Sequence, residues 1–389
     1  MKVCIWSTSF QADTLALALA LDQDPEIELL VLTKNKAALV EEPVSKFRPL
    51  QCELLDRDLD DCEAVAKEFK PDVVFADNHV PSFPIPHKFL YHWHGLPLKI
   101  RPAKDLRSYH RQVERQVGSV KKPNPRYLAQ CYGQVDYDHR INTWKLSPDN
   151  CCMWGSAYSD LLLSPPYTKA DLEDYFQLDL TGRKTILLSI TWHFGDQIFG
   201  PLGDDDAIFD ELVKTANESG ANVIFSLHDK YRYIPGMLSK IESWSARCNQ
   251  SFIKYKSEHA DNLADLVASD VMICSFSSFI VWHYFTGKPS LHILPFDPKK
   301  IFVNMPTIKK KQIRSLWRRN SSNLWMYPFS EHGGVVPQDG DELIRDLNTA
   351  LENPAYGREN AEQFIRNRIV QADGNTSQRI VTDMKAWAG

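Results

Sequence analysis

The 389-residue sequence lacks any run of about 18 consecutive apolar residues, so no membrane-spanning helix is expected. Its eight cysteines form no Cys-x-x-Cys pair, and no His-x-x-x-His accompanies them. That argues against a zinc site or a disulfide framework and for a reducing cytoplasm. An excess of positive charge is also missing: 45 Lys and Arg against 50 Asp and Glu give a net charge of −5. Nucleic-acid binding by general electrostatics is thereby disfavoured. After the first apolar run comes Ser7-Thr8-Ser9-Phe10-Gln11 where a dinucleotide site would need Gly-x-Gly-x-x-Gly, and a P-loop is absent. Neither a nicotinamide nor a flavin cofactor is expected. The N-terminal stretch is apolar, but Gln11, Asp13 and Thr14 interrupt it and no small-residue cleavage site follows, so it reads as strand, turn and helix rather than as a signal peptide.

What is present is an ordinary globular balance, 43% hydrophobic and 24% charged, over a length that suits two domains at roughly 150 residues each. Short apolar runs alternate with helix-length amphipathic stretches. Strands are expected over Lys2 to Trp6, Glu28 to Thr33 and Pro71 to Ala76, with helices over Thr14 to Leu21 and Leu59 to Phe69. From about Pro81 to Asn150 the chain is less regular, rich in Pro, His, Tyr and basic residues, and reads as too irregular for a core. The pattern restarts at Lys184 to Ile190. A helix over Asp206 to Ser219, a strand over Asn222 to Leu227, a helix over Asn262 to Ser269, a strand over Val271 to Cys274, a helix over Ser277 to Thr286 and a strand over Pro289 to Leu294 follow. Strand and helix alternation of this kind implies parallel sheets. Pro165 and Pro166 punctuate the break. The expected architecture is α/β and GT-B-like, two Rossmann-like domains, residues 1–167 and 168–389, facing each other across a cleft.

Asp204-Asp205-Asp206 precedes an amphipathic helix, where acidic residues favour the helix N-terminus, so no metal is expected there. A basic cluster from Lys299 to Arg319, with Phe302, Trp317 and Trp325 interleaved, reads either as a solvated face or as a surface for anionic lipid or a polyphosphate chain.

Three corners carry the candidate chemistry. Tyr91-His92-Trp93-His94-Gly95-Leu96-Pro97-Leu98-Lys99 ends an apolar run and turns at Gly95. An imidazole at such a corner can take a proton from an alcohol near neutral pH. Of His92 and His94, only one is expected to line the cleft. The strand Asn222 to Leu227 ends at His228-Asp229-Lys230, where a protonated ring could neutralise a leaving diphosphate. Ser275-Phe276-Ser277-Ser278 follows the strand Val271 to Cys274 and opens a helix, where hydroxyls and backbone N–H groups can seat phosphate without a metal.

In order and spacing these segments resemble the CDP-glycerol glycerophosphotransferases, the teichoic-acid primases and polymerases of GT-B fold. Trp93-His94-Gly95-Leu96-Pro97-Leu98-Lys99 is similar to the family's Trp-His-Gly-Thr-Pro-Leu-Lys, and Trp154 to Leu162 to its Gly-x-Pro-Arg-x-Asp-Leu-Leu. Ile186 to Trp192 resembles Ile-Leu-Tyr-Ala-Pro-Thr-Trp, Ser226-Leu227-His228 resembles Lys-Leu-His, and Ser275-Phe276-Ser277-Ser278 resembles Asp-Tyr-Ser-Ser. Thr286-Gly287-Lys288-Pro289 recurs in place, and Asp373 to Arg379 is similar to Asp-Gly-x-x-Ser-x-Arg. The resemblance runs from about residue 90 to the end. It departs at Ser275 and Trp282, which stand where the family has Asp, at Asp229 for Pro and at His193 for Arg.

The resemblance implies transfer of a polyol phosphate, glycerol phosphate or similar, from a CDP-activated donor to a hydroxyl of a lipid-linked or polymeric surface-polymer acceptor, with release of CMP. It implies His94 and His228 as catalytic residues, Thr191, Trp192, Ser275, Ser277, Ser278 and Arg379 at the donor, and Gly95 and Lys99 at the acceptor. No cofactor or metal is implied. A cytoplasmic protein, peripheral on the inner face of the cell membrane and without nucleic-acid partners, is the matching expectation. Two alternatives keep the scaffold: a glycosyltransferase of capsule or surface polysaccharide using a sugar nucleotide, and a catalytically inactive binding protein.

Overall fold

The computed structural model describes the chain except residues 9, 35, 78, 86, 93, 94, 101, 102, 192–196, 256–261, 276, 294–300, 303–307, 321–323 and 328–330. Twelve strands build two sheets in which every pairing is parallel. The first holds β1 (Lys2–Trp6), β2 (Glu28–Thr33), β3 (Glu53–Asp56), β4 (Val73–Ala76), β5 (Lys88–Tyr91), β6 (Tyr127–Cys131) and β7 (Cys151–Met153), in the order β3-β2-β1-β4-β5-β6-β7. The second holds β8 (Thr185–Ser189), β9 (Asn222–Leu227), β10 (Ser251–Tyr255), β11 (Val271–Ser275) and β12 (Ser290–Ile293), in the order β10-β9-β8-β11-β12. Central strands such as β4 and β11 are buried along their whole length, as expected when helices cover both faces of a parallel sheet. In each sheet the strand order reverses once, between β1 and β4 and between β8 and β11. Open α/β sheets bind ligands beyond the carboxyl ends of their strands at such points.

The expected strands and helices form, three strands with the expected boundaries and the rest with boundaries moved by at most three residues. The acidic run behaves as the dipole argument requires: Asp204 caps the helix Asp205–Ser219 by accepting from the Ala207 N–H (2.9 Å), and Asp205 accepts from the Phe199 N–H (2.8 Å). Among the described residues, no group of three or more His, Cys, Asp or Glu could hold a metal ion.

Residues 81–150 correct the sequence reading. Far from lacking a core, they contribute β5, β6 and the helix Ala103–Val117, and their aromatic residues pack together. Tyr91, Tyr109, Tyr127 and Trp144 are all nearly inaccessible, and Tyr109 and Tyr127 share a hydroxyl hydrogen bond. β5 and β6 are four and five residues long, too short to show a period.

The two sheets lie on either side of residue 167, but the last helix, Thr376–Ala388, does not stay with the second. It packs on Ala12–Asp22 and Tyr158–Leu163 beside the first sheet, where Lys385 pairs with Asp24 (3.0 Å) and the Lys88 ammonium lies 5.2 Å over the Trp387 ring. A second excursion also crosses over. Trp325 forms an antiparallel bridge with Lys99, and the Met326 N–H donates to the Leu98 carbonyl (2.9 Å).

Candidate functional site

At the reversal point of the first sheet, β1 runs into Ser7 and Thr8, and β4 into Asp77. The fully buried Asp77 carboxylate accepts the Ser7 hydroxyl (2.8 Å) and the Thr8 N–H (2.9 Å). Arg57 closes the cluster from the end of β3. Its guanidinium stacks 3.6 Å over the Trp6 ring and donates to the Ser7 carbonyl (2.6 Å). Thr8 Oγ1 meets His79 Nδ1 at 2.9 Å, extending the polar chain to the surface.

The second sheet answers with hydroxyls. Ser275, the buried last residue of β11, accepts the Thr191 N–H through Oγ (2.8 Å) and pairs with the Thr191 hydroxyl (2.9 Å). Tyr231 fixes this edge by donating to the Thr191 carbonyl (3.1 Å). Beyond β9, His228 Nδ1 accepts the Lys230 N–H (3.1 Å), so a neutral ring carries its proton on Nε2 and presents a donor there. Ser277 caps the helix Ser278–Tyr284, its hydroxyl accepting from the Phe279 N–H (3.3 Å).

The two edges meet at Gly95. Its φ of +147° is reserved for glycine, and a Cβ built there would lie 2.5 Å from Ser278 Oγ and 2.8 Å from Ser278 Cβ. The corner that ends β5 therefore rests directly on the serine turn that ends β11. Trp282, one turn further into that helix, is buried between Tyr132 (5.9 Å) and Tyr158 (5.7 Å) of the first unit. Where the resemblance has an acid, this chain has an aromatic joint between its two halves. Gln11 and Asn262 form another hydrogen-bonded contact across the cleft.

His94 and Trp192 lie outside the described residues. Their neighbours locate the corners. His92 turns inward, stacked on Phe75 (5.5 Å between centroids) and 3.7 Å from Asp13. Gly95, Thr191, Ser275, Ser277 and Ser278 border the junction between the two edges. Lys99 and Arg379 have contacts of their own. The Lys99 ammonium lies 4.8 Å over the Trp325 ring, within the bridge that ties the two halves. Arg379 holds both oxygens of Asp373 (2.8 and 3.0 Å) and the Gln371 carbonyl (2.6 Å), closing the turn before the last helix. That turn meets the Trp154 to Leu162 segment, because Asp160 accepts the N–H groups of Thr376 (3.0 Å) and Ser377 (2.7 Å).

Sequence reasoning missed Asp77, Arg57 and Asp13. Asp13 is buried at the start of the helix Ala12–Asp22, where it accepts from the Ser156 hydroxyl (2.6 Å), the Tyr132 hydroxyl (2.9 Å) and the Tyr158 N–H (3.0 Å). Burial raises its pKa to about 6 against the pull of those donors. A carboxylate directly after the apolar run of β4 was the available signal for Asp77.

No family model and no curated protein matches the sequence. Solved structures do match. The wall teichoic acid polymerase TagF aligns with a TM-score of 0.66 and 14% identity over 100% of this chain and 89% of that one. The UDP-GlcNAc 2-epimerase of Neisseria meningitidis, bound to UDP-GlcNAc, aligns with a TM-score of 0.55 and 14% identity over 99% of this chain and 100% of that one. A glycosyltransferase of Rickettsia africae aligns with a TM-score of 0.50 and 9% identity over 99% of this chain and 97% of that one. The fold is GT-B-like. At these identities the likeness concerns architecture: two Rossmann-like α/β units meeting across a cleft, as the sequence reading expects.

Proposed function

We propose that the chain is a GT-B transferase moving a polyol phosphate from a CDP-activated donor onto a hydroxyl acceptor, with CMP as the leaving group. The observation that carries this reading is the seating of Gly95 on Ser278, which sets the corner next to His94 against the serine turn of the second sheet. The teichoic acid polymerase that shares the fold has also been solved after a soak with CDPG, which supports a cytidine donor.

In this mechanism His94 takes the proton from the acceptor hydroxyl as its oxygen attacks the β-phosphorus of the donor. A new P–O bond forms, and the bond to the bridging oxygen of CMP breaks. His228, oriented through Nδ1 by the Lys230 N–H, donates from Nε2 to the diphosphate and stabilises the charge that develops on CMP. Thr191, Ser275, Ser277 and Ser278 line the donor side, the resemblance adds Trp192 to them, and the first unit holds the acceptor. Phosphoryl-type transfer requires mainly positioning and charge stabilisation, both within reach of such a set.

The test is nucleotide release from a panel of cytidine and uridine donors, repeated with His94→Ala and His228→Ala. CMP release from CDP-glycerol or CDP-ribitol should fall by roughly 10²- to 10⁴-fold in the His94 variant and by a similar order in the other. Unchanged release in both variants overturns the assignment, and nucleoside diphosphate released from a sugar nucleotide would replace it with glycosyl transfer.

The same reading places the enzyme at an anionic membrane face. Among the described residues no helix is long and apolar enough to cross a membrane. Lys309, Lys310, Lys311 and Arg314 are exposed at the start of the helix Lys310–Asn320, while Ile313 is buried beneath them. Co-sedimentation with anionic vesicles should weaken as salt rises, and salt-independent pelleting would contradict docking by these charges.

A further inference from the structure

Three segments at the carboxyl edge of the first sheet converge on one carboxylate. Asp13, buried in the first turn of the helix Ala12–Asp22 that follows β1, receives the Ser156 hydroxyl (2.6 Å) and the Tyr158 N–H (3.0 Å) on Oδ1. On Oδ2 it receives the Tyr132 hydroxyl (2.9 Å), and His92 Nε2 stands 3.7 Å away. His92 directly follows β5, Tyr132 directly follows β6, and Ser156 and Tyr158 come after β7. The ends of three neighbouring strands are thus tied to the helix after β1 by a single group. Directly before it Ala12 holds a φ of +51°, a left-handed angle that costs alanine energy and persists where the surroundings over-determine it.

Two routes lead from this carboxylate to the contact between Gly95 and Ser278. The shorter runs along the chain, since His92 lies three residues before Gly95 and its ring rests against both Asp13 and Phe75. The other crosses the cleft. Tyr132 and Tyr158, both fixed by Asp13, flank the Trp282 ring, and Trp282 stands one turn beyond Ser278 on the helix Ser278–Tyr284. The other charges around Asp13 are already matched. Asp136, behind Tyr132, accepts the Tyr132 N–H (3.2 Å) and pairs with Arg140 (3.2 Å). Asp160 accepts the Thr376 and Ser377 N–H groups, and Lys385 of the last helix meets Asp24, beyond the other end of the Asp13 helix. Among the described residues no lysine or arginine pairs with Asp13.

We infer that Asp13 is a positioning residue for the transfer: its ionised carboxylate sets the Gly95 corner against Ser278 from behind, without touching either substrate. This rests on the transferase reading and deepens it by adding a control on turnover that lies outside the reacting groups. The chemistry follows from the donors. A carboxylate accepts from two hydroxyls and an N–H at once, whereas a carboxylic acid gives up part of one oxygen to its own proton and turns one of those donors away. Burial holds the Asp13 pKa up at about 6, so the change of state falls just below neutral pH. Proton uptake there loosens the corner, while the fold, which binds that proton more tightly than the unfolded chain, stays intact. The general base is also lost to protonation on the acid side, so two protonations rather than one shut the enzyme down.

The experiment compares the full-length wild type, Asp13→Asn and Tyr132→Phe for CMP release from CDP-glycerol, each protein first checked by urea denaturation at about pH 7.5. Asp13→Asn should lower kcat roughly 10- to 100-fold with both KM values within about twofold of wild type, as a displacement of reacting groups by about 1 Å does. Below about pH 6 the logarithm of kcat should fall with a slope of about two in wild type and about one in Asp13→Asn. Tyr132→Phe keeps the carboxylate and the ring against Trp282, so it guards against misfolding; it should lose kcat by a few fold and keep the steeper slope. A second readout needs no substrate. Hydrogen exchange should quicken in Asp13→Asn over residues 95–100 and 278–284 while β8 and β9 keep their protection. Unchanged kcat in both variants, the same slope in wild type and Asp13→Asn, or faster exchange spread evenly over the first unit overturns the inference. Failure of the transferase reading is separable: exchange would still quicken at the two contact segments while no cytidine donor released CMP.

Discussion

The two reversal points do the same topological job with opposite chemistry. In the first sheet a buried carboxylate, Asp77, gathers a hydroxyl and an N–H, with Arg57 stacked on Trp6 beside it. In the second, Ser275 and Thr191 pair through neutral hydroxyls, with His228 at the neighbouring strand end. A fixed anion repels a diphosphate and attracts hydroxyl donors, whereas hydroxyls, amides and an imidazole donor accommodate phosphate oxygens. On the proposed transferase reading, the difference suits the acceptor to the first edge and the nucleotide to the second, a division that overall architecture alone would not supply.

The comparison depends on the two edges touching, so its most severe test is Gly95→Ala. The new methyl must displace Ser278 and hold a backbone angle that only glycine adopts readily, at a combined cost of about 2–5 kcal/mol. Turnover should drop by roughly a hundredfold, because small misplacements of reacting groups cost that much. The double variant Gly95→Ala, Ser278→Gly removes the clash but not the strain, and should recover part of the stability lost. Equal denaturation midpoints for single and double variants would show that the corners do not meet.

Next come the edges themselves. Asp77→Asn leaves buried donors badly matched, a loss of about 1–3 kcal/mol, and should raise the KM for acceptor more than that for donor. Ser275→Ala removes the acceptor of the Thr191 N–H, a loss of about 1 kcal/mol, and should raise the KM for donor instead. Steady-state kinetics with each substrate varied in turn decides the matter, and an exchange of the two effects would reverse the assignment.

How much of this was legible in the sequence follows from the range of the interactions. Local signals read well: Asp204 before an amphipathic helix, and strands long enough to show a buried run. The turn at Gly95 was visible as a corner, but its partner Ser278 is remote in the chain and no local pattern announces the contact. The resemblance puts Lys99 at the acceptor, and no local pattern announces that its ammonium also lies over the Trp325 ring from the far half of the chain. Asp77 was hidden because one residue after a four-residue strand carries no periodicity. Trp282, taken as a departure at the donor, is a packing residue that serves the joint.

Asp13 gives a smaller, pH-dependent test on the first unit. Its pKa is raised from 3.8 to about 6, so the folded protein binds this proton more tightly than the unfolded chain does. The stability from that difference is fully present below about pH 4 and lost as pH rises through about 6, amounting to about 3 kcal/mol. Asp13→Asn should therefore destabilise more at pH 4 than at pH 7. Urea denaturation across that interval checks it; the same loss at both ends would mean that Asp13 titrates normally despite its burial.

Arg379 is the weakest lever and the sharpest contrast with the family resemblance. If it bound the donor diphosphate, Arg379→Ala would raise the KM for donor at least tenfold, as loss of a charged phosphate contact does. In the fold its guanidinium is taken up by Asp373 and the Gln371 carbonyl, in a turn whose helix packs beside the first sheet. The partly exposed pair contributes little, so the substitution should leave the KM for donor unchanged and the melting midpoint nearly so. Asp160→Ala should matter more, because it uncaps two helix N–H groups at a cost of about 1 kcal/mol and loosens the return of the chain to the first unit. A donor defect in Arg379→Ala with Asp160→Ala silent would transfer the closing segment from the scaffold to the nucleotide.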